Sequence, residues 1–428
     1  MTAAPESGGP GGAGGAAGGA GTVQADTMLF NPFLPEMRVD PYPAYHLLRA
    51  ADPVHRVPLE IGPEVWILSR HRDVSALLRN AHVSSDRRKS DLYEAFLQAL
   101  PEELQREELT PSMLFLDPPD HTRLRSLVNQ AFTGRVIGQL RPRIEEMVEG
   151  LLDGVAGEGH MDVVEDLAYP LPVNVICDLL GVASDMDREL LRRWSLDLIY
   201  TLDPMVAPEA LLRAQRAAAA FREYLRGLIA ERRSRPGTDL LSGLIAAEDE
   251  GGRLSEGELV STCVLLLVAG HETTSGLIGN GTLALLRNPE ELRRWHREPG
   301  IARPAVEELL RYDSPVQLTG RLLMEDLEVD GRTLPKGAEA VGLLGAANRD
   351  PEQFPDPDRL DLGRAENRHI AFGNGIHFCL GAALARVEGQ VALGRLARRF
   401  PDMELAGDPV WRDTITLRGL RSLPVSLA

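Results

Sequence analysis

The chain has 428 residues, 43% hydrophobic and 25% charged, with a formal net charge of −17. That length suffices for one large core or two to three modest domains, with the composition of an ordinary globular protein. The acidic balance argues against a nucleic-acid partner, and three widely spaced cysteines form no disulfide framework, so a reducing cytoplasm is expected.

Residues 1–26 read as a disordered Gly/Ala-rich tail. The first Arg is Arg38 and no bulky apolar run precedes it, so neither a signal peptide nor a membrane anchor is expected there. Order is expected from about Asn31, with residues 27–428 forming one domain. "DPYPAYHLLRAADPV" suggests a short helix started by prolines, "VHRVPL" and "EVWILSR" two short strands, and "HRDVSALLRN" a helix. Residues 85–112 are polar and weakly patterned, which reads as a mobile loop region. From Asp120 to about Ala246 the pattern is mostly helical, with breaks at Pro170–Pro172, near Ser184, around Pro204–Pro208 and at Pro236–Gly237.

Ser255 and Glu258 then form a capping-box pattern, S-x-x-E, and no proline follows until Pro289. This allows about 32 helical residues, roughly 48 Å at 1.5 Å per residue. The segment "CVLLLVAG" is apolar on nearly every side and must be buried, while the longest fully apolar run, around Val264–Ala269, is too short to span a bilayer. "AGHETT", Ala269–Thr274, follows inside the same helix. A carboxylate beside an alcohol in a core helix is costly unless paired or used. Gly270 weakens the helix by about 1 kcal/mol, and a Thr hydroxyl can bond the carbonyl four residues back and bend it. A kink tolerated for packing explains the same letters.

"PAVEELLRYDSP" is a further helix, stopped by Pro315. Glu308 and Arg311 share one of its faces, a spacing that on its own usually marks a surface pair. "DLEVDGRTLPKGAEAVGLL" reads as a hairpin pair with an Asp330–Gly331 turn, and "NRDPEQFPDPDRLDLGR" as a long coil. A last helix runs to about Arg399. The fold class is mainly α with small β-sheets.

Before that helix stands "AFGNGIHFCLG". Cys379 could be a packed core thiol, a nucleophile or a metal ligand. The glycines allow left-handed backbone or close approach to a flat ligand, and the helix start supplies free N–H groups that favour thiolate. A thiolate in a tight loop with aromatic shielding suits an axial iron ligand. An inert core thiol explains neither the glycines nor the helix start. Zinc lacks two further ligands at usable spacing, and the C-x-x-C-H of a c-type haem is absent.

"FGNGIHFCLG" resembles the haem-binding signature F-x-x-G-x-x-x-C-x-G of the cytochrome P-450 superfamily, matched at Phe372, Gly375, Cys379 and Gly381. "AGHETT" is similar to that family's [A/G]-G-x-[D/E]-T-[T/S], and Glu308-Leu-Leu-Arg311 to its E-x-x-R. The order and spacing extend the likeness over about residues 30–428, in the style of soluble actinobacterial-type members.

The resemblance implies the fold of a single large haem domain, haem b with Cys379 as axial ligand to iron, and Phe372, Gly373 and Gly381 around it. His121, Arg125, Arg321 and His377 match positions that contact the haem propionates. Ala269 and Gly270 would leave room for dioxygen, and Glu272 and Thr273 would deliver protons to it. Glu308 and Arg311 would form a structural trio with Arg359, although Leu360 stands where many members have Phe. Met113, Leu114, Ala269, Val316 and Leu318 would wall a pocket for a hydrophobic compound.

The reaction implied is insertion of one oxygen atom from O2, by hydroxylation or epoxidation, into a polyketide or macrolide, a terpenoid or a steroid-like compound. The chain has no room for a flavin module, so electrons would come from a ferredoxin and its reductase, docking on Arg123, Arg386, Arg395 and Lys336. A cytoplasmic monomer without membrane contact is implied. The rival readings are a peroxide-driven or oxidative-coupling haem-thiolate enzyme, separated by the intact acid–alcohol pair, and a non-catalytic haem sensor, separated by the lack of an output domain.

Overall fold

The "CVLLLVAG" segment, expected to be buried throughout, is buried only at Cys263, Leu266 and Leu267; Val264, Leu265, Val268, Ala269 and Gly270 line a central cavity instead. A computed structural model describes residues 30–57, 64–91, 93, 98, 110–129, 132–183, 186–204, 207–249 and 254–427. The expected tail 1–26 and much of the expected loop 85–112 lie outside the described residues. The described α-helices are α1 (Pro35–Val39), α2 (Tyr42–Ala51), α3 (His71–Arg79), α4 (Asp120–Asn129), α5 (Gly134–Val155), α6 (Pro170–Leu180) and α7 (Arg188–Ile199). They continue with α8 (Pro208–Ser234), α9 (Leu240–Asp249), α10 (Glu256–Arg287), α11 (Pro289–Arg297), α12 (Ala302–Tyr312), α13 (Leu344–Ala347) and α14 (Ala382–Arg399).

Helix α10 has the limits its sequence dictates. The Ser255 hydroxyl accepts the Glu258 N–H at 3.2 Å, and the Glu258 carboxylate accepts the Ser255 N–H at 2.8 Å, a closed capping box. By length and composition α10 is apolar enough to cross a membrane, but 72% of its most apolar window is buried inside the protein. Its C-terminal half packs with α5, α12 and α14 in one apolar cluster, and its N-terminal half with α4, α6, α8 and α9 in another. At roughly 25 cal/mol per Å2 of apolar surface, burying such a helix is the main drive for assembly around it.

Strands β1 (Val54–Val57), β2 (Val65–Leu68), β3 (Val83–Ser84), β5 (Leu318–Leu323) and β8 (Glu339–Leu343) make one sheet in the order β1-β2-β8-β5-β3. Only the β2–β8 pair is parallel. β6 (Leu327–Val329) and β7 (Arg332–Leu334) form the expected hairpin, with Asp330 at φ 52° and Gly331 at φ 76°. Such a turn needs left-handed backbone at both central residues, hence Asp-Gly. Neither β3 and β5 nor the remaining strands were expected. β4 (His160–Asp162) interrupts the helical stretch and pairs with β12 (Pro424–Ser426), which also pairs with β9 (Glu404–Leu405); β10 (Val410–Trp411) pairs with β11 (Leu420–Ser422). Two- and three-residue strands carry no readable period, and the partner of β4 lies at the other end of the chain. β5 and the β10–β11 turn both reach the central cavity.

Candidate active site

A cavity of about 1650 Å3 lies against α10, β5 and the loop before α14. Met113, Leu114, Ala269, Val316 and Leu318 all border it, as the sequence suggests. So do Cys379 and every residue expected to hold the haem.

The loop before α14 is shaped by two left-handed glycines, Gly373 at φ 71° and Gly375 at φ 70°. A Cβ on Gly375 would overlap the Leu78 carbonyl oxygen, whereas a Cβ on Gly373 would meet only open space. Gly375 is therefore demanded by both packing and backbone, and Gly373 by backbone alone. The loop closes through the Cys379 N–H, which donates to the Phe372 carbonyl at 2.9 Å. Phe372 lies under the Arg386 guanidinium, 4.5 Å from its ring centroid. Burial pushes the Cys379 thiol up, opposed by the Gly381 N–H and by Arg125 and Arg386. The helix start acts in the expected direction, since the Gly381 N–H just before α14 favours thiolate, but desolvation outweighs it. Binding to a metal removes that proton outright.

Four nitrogen-bearing side chains on this cavity are short of anions. Among the described residues, neither ring nitrogen of His121 has a hydrogen-bond partner, nor does Nε2 of His377, and the two rings lie 4.2 Å apart. Among the same residues, Arg321 donates only to the Thr319 hydroxyl at 3.0 Å and the Gly320 carbonyl at 2.7 Å. Arg125 donates to the Phe378 carbonyl. Burial, then Arg321 and His121, push His377 down to about 3, and burial takes Arg321 down to about 10. The acid whose charge acts on Arg321 and His377, Asp117, is already engaged by Lys89 at 2.7 Å and the Ser85 N–H at 2.9 Å. A cluster so placed fits a ligand carrying two carboxylates, with the sulfur of Cys379 on the same cavity for a metal. The residues therefore fit haem.

On α10 the acid–alcohol pair is split. The Thr273 hydroxyl borders the cavity and donates to the Ala269 carbonyl at 2.9 Å, and Thr274 does the same to Gly270 at 3.2 Å. Gly270 also borders the cavity, but the space left by its missing side chain is taken by Ile176, 3.2 Å from a Cβ built there. The glycine lets α6 approach α10. Glu272 is buried and is not among the cavity residues. Its carboxylate pairs with Arg412 and lies 3.1 Å from His271 Nε2. Burial would raise its pKa, but Arg412 and His271 hold it down at about 2.

The structural trio needs one correction. Glu308 and Arg311 are fully buried and paired in a fork, Nε to Oε2 and Nη2 to Oε1, both 2.8 Å. The third member is Arg364, whose Nε donates to the same carboxylate at 3.0 and 3.1 Å, and not Arg359. Arg359 is exposed and contributes its carbonyl, which accepts from Arg311 at 3.3 Å and Arg364 at 3.1 Å. Five residues further along the coil, the side chain of Arg364 turns back onto Glu308. Arg364→Gln is expected to cost about 1–3 kcal/mol in a denaturant titration, Arg359→Gln about 0.5 kcal/mol or less. Equal costs would reinstate Arg359.

The proposed basic face is largely neutralised internally. Arg123 pairs with Glu258, Arg386 with Glu307 at 2.6 Å, and Arg395 with Glu149 at 3.0 Å; Lys336 is exposed. Residues missed by sequence reasoning include Arg412, with no motif to mark it, and Glu388. The latter borders the cavity from α14, has one unpartnered oxygen and is pushed up to about 8 by burial.

A family model described as Cytochrome P450 matches residues 60–300 and 301–415. The vitamin D(3) 25-hydroxylase of Pseudonocardia autotrophica is 44% identical, over 91% of this chain and 94% of that protein. The 6-deoxyerythronolide B hydroxylase of Saccharopolyspora erythraea is 41% identical over 91% and 96%. The crystal structure of Mycobacterium smegmatis CYP164A2 in its ligand-free state has a TM-score of 0.84 at 43% identity, covering 92% of this chain and 97% of that one.

Proposed function

The chain belongs to the cytochrome P450 family and is a cytochrome P450 monooxygenase; on that premise we propose that it hydroxylates or epoxidises a hydrophobic natural product of polyketide, macrolide, terpenoid or steroid-like class. The observation that carries the reading is the single cavity that Cys379, the anion-starved donors and Thr273 all border. Its size suits a large compound, and its wall at Met113, Ala269, Val316 and Leu318 is apolar.

When bound, haem iron supplies the activation of dioxygen. The chain's own residues do the rest. Cys379 would hold the iron through its sulfur, seated by Gly373 and Gly375, with the Gly381 N–H favouring its thiolate. His121, Arg125, Arg321 and His377 would bind the two carboxylates of haem b and so orient the ring. Phe372 shields the sulfur side. Ala269 leaves space beside Thr273, whose hydroxyl holds a proton at Oγ1 on the cavity wall. Glu272 is the acid that replenishes that proton. Glu308, Arg311 and Arg364 hold the coil leading into the Cys379 loop. Electrons come from an external ferredoxin and its reductase, with no flavin bound to this chain, and the enzyme works as a cytoplasmic monomer.

The test is turnover under isotopically labelled dioxygen with NADH, ferredoxin and reductase, offering vitamin D3 and 6-deoxyerythronolide B, on which the named relatives act, among other sterols and macrolactones. One labelled oxygen atom per product is expected for at least one compound. Label arriving only from peroxide would favour the peroxide-driven rival. In the same assay Thr273→Ala is expected to lower product per NADH by roughly tenfold or more, the excess electrons leaving as peroxide. Unchanged coupling would remove Thr273 from the proton path.

A further inference from the structure

A carboxyl that is to feed protons to the cavity, yet does not border it, needs something to release it. The partners of Glu272 show what that is. His271 Nδ1 lies 2.6 Å from the Leu267 carbonyl oxygen. A carbonyl can only accept, so Nδ1 carries a proton. Nε2 of the same ring faces Glu272 Oε1 at 3.1 Å. Two lone pairs cannot face each other at that distance in a buried site, so a second proton sits in this contact, on nitrogen or on oxygen.

Which atom holds it depends on Arg412. The guanidinium bonds the other carboxylate oxygen, Oε2, and favours charge on the carboxylate. Burial favours the opposite, the neutral imidazole and neutral acid. Beyond His271 stand the Tyr169 ring, edge-on at 5.9 Å, and the Arg192 guanidinium 4.4 Å from that ring's centroid. Arg192 is itself neutralised by Glu165 and Glu189.

Arg412 is carried by a turn. It follows β10, and its N–H donates to the Gly419 carbonyl at 3.0 Å. Further along the turn, Thr416 and Leu417 border the cavity, and Leu417 bridges to Val316 on its wall. The tip is fastened by Asp203, whose carboxylate accepts the Ile415 N–H at 3.2 Å and the Thr416 N–H at 2.8 Å. The arm that holds the acid and the wall that meets an occupant are one short turn.

We propose that Arg412 is a positioning residue that decides which member of the His271–Glu272 pair holds their shared proton, and that the 412–419 turn links this choice to occupation of the cavity. This rests on the monooxygenase reading, in which Glu272 supplies protons. With Arg412 in place the pair is imidazolium and carboxylate. When an occupant displaces Thr416 and Leu417, Arg412 withdraws. The His271 Nε2–H bond breaks and the Glu272 Oε1–H bond forms, leaving the net charge of the pair unchanged. The neutral acid no longer needs Arg412 and is free to turn toward Thr273.

The test is infrared difference spectroscopy of the haem-loaded protein at neutral pH, with Glu272→Gln identifying the Glu272 carbonyl band. Wild type is expected to show no carboxylic-acid band from Glu272, and Arg412→Gln to show one. Arg412→Lys, which keeps a cation, is expected to suppress it again. Asp203→Ala touches neither Glu272 nor Arg412, yet is expected to produce part of the band by loosening the turn, and it carries the test should Arg412→Gln not fold. No band in a folded Arg412→Gln overturns the role of Arg412; no band in Asp203→Ala overturns the link through the turn. A missing thiolate signature in the haem spectrum would instead sink the monooxygenase reading, whatever the infrared result.

Discussion

Cys379→Ala will abolish monooxygenation while leaving the protein folded. The side chain borders the cavity rather than the packed core, and the hydrogen bond that closes its loop is backbone to backbone, Cys379 N–H to the Phe372 carbonyl at 2.9 Å. Alanine keeps that bond, and Gly373 and Gly375 keep their left-handed backbone. The expected change in unfolding free energy is therefore small, about 1 kcal/mol or less. His121, Arg125, Arg321 and His377 remain to hold the carboxylates, so some haem binding persists. What is lost is the sulfur that would hold the iron and tune its chemistry. Labelled product is expected to fall to background in the dioxygen assay, with a melting temperature close to wild type. Product formed at a wild-type rate would remove Cys379 from its role.

Glu308→Ala is expected to have the largest effect on stability. Its carboxylate takes both forks of Arg311, two contacts from Arg364, the Asn367 amide at 3.0 Å and the Asp361 N–H at 3.0 Å. Arg311 is fully buried, and without Glu308 its charge stands uncompensated beside the carbonyls of Asn348 and Pro357. Breaking a buried ion pair on one side costs about 3–5 kcal/mol. That is a large share of the roughly 5–15 kcal/mol that keeps a domain folded. The 361–367 coil loses its anchor, and the Cys379 loop follows directly, so haem content is expected to fall along with the midpoint of denaturant unfolding. A loss below 1 kcal/mol would mean the hub is dispensable.

The features legible in the sequence are those that neighbouring residues dictate. The capping box at Ser255–Glu258 and the absence of proline up to Pro289 define α10, Asp330–Gly331 defines a tight turn, and the glycines before Cys379 define a strained loop. The illegible ones are made by residues that meet across the chain. Arg359 and Arg364 lie in one polar coil, and only the fold decides which guanidinium reaches Glu308. Arg412 carries no motif because its significance comes from Glu272, 140 residues away. Gly270 is adjacent to the acid–alcohol pair, yet its missing side chain makes room for Ile176 on α6. Glu272 itself is recognisable by its motif, but only the structure reveals that the helix turns it away from the cavity.

The central claim is that this cavity holds haem through the sulfur of Cys379. It is tested most directly by the absorption difference between the dithionite-reduced protein with and without carbon monoxide. A strongly red-shifted Soret band that disappears in Cys379→Ala is the expected result. A band at the ordinary haem-protein position, reproduced in a fresh preparation, would contradict thiolate ligation and the monooxygenase reading built on it.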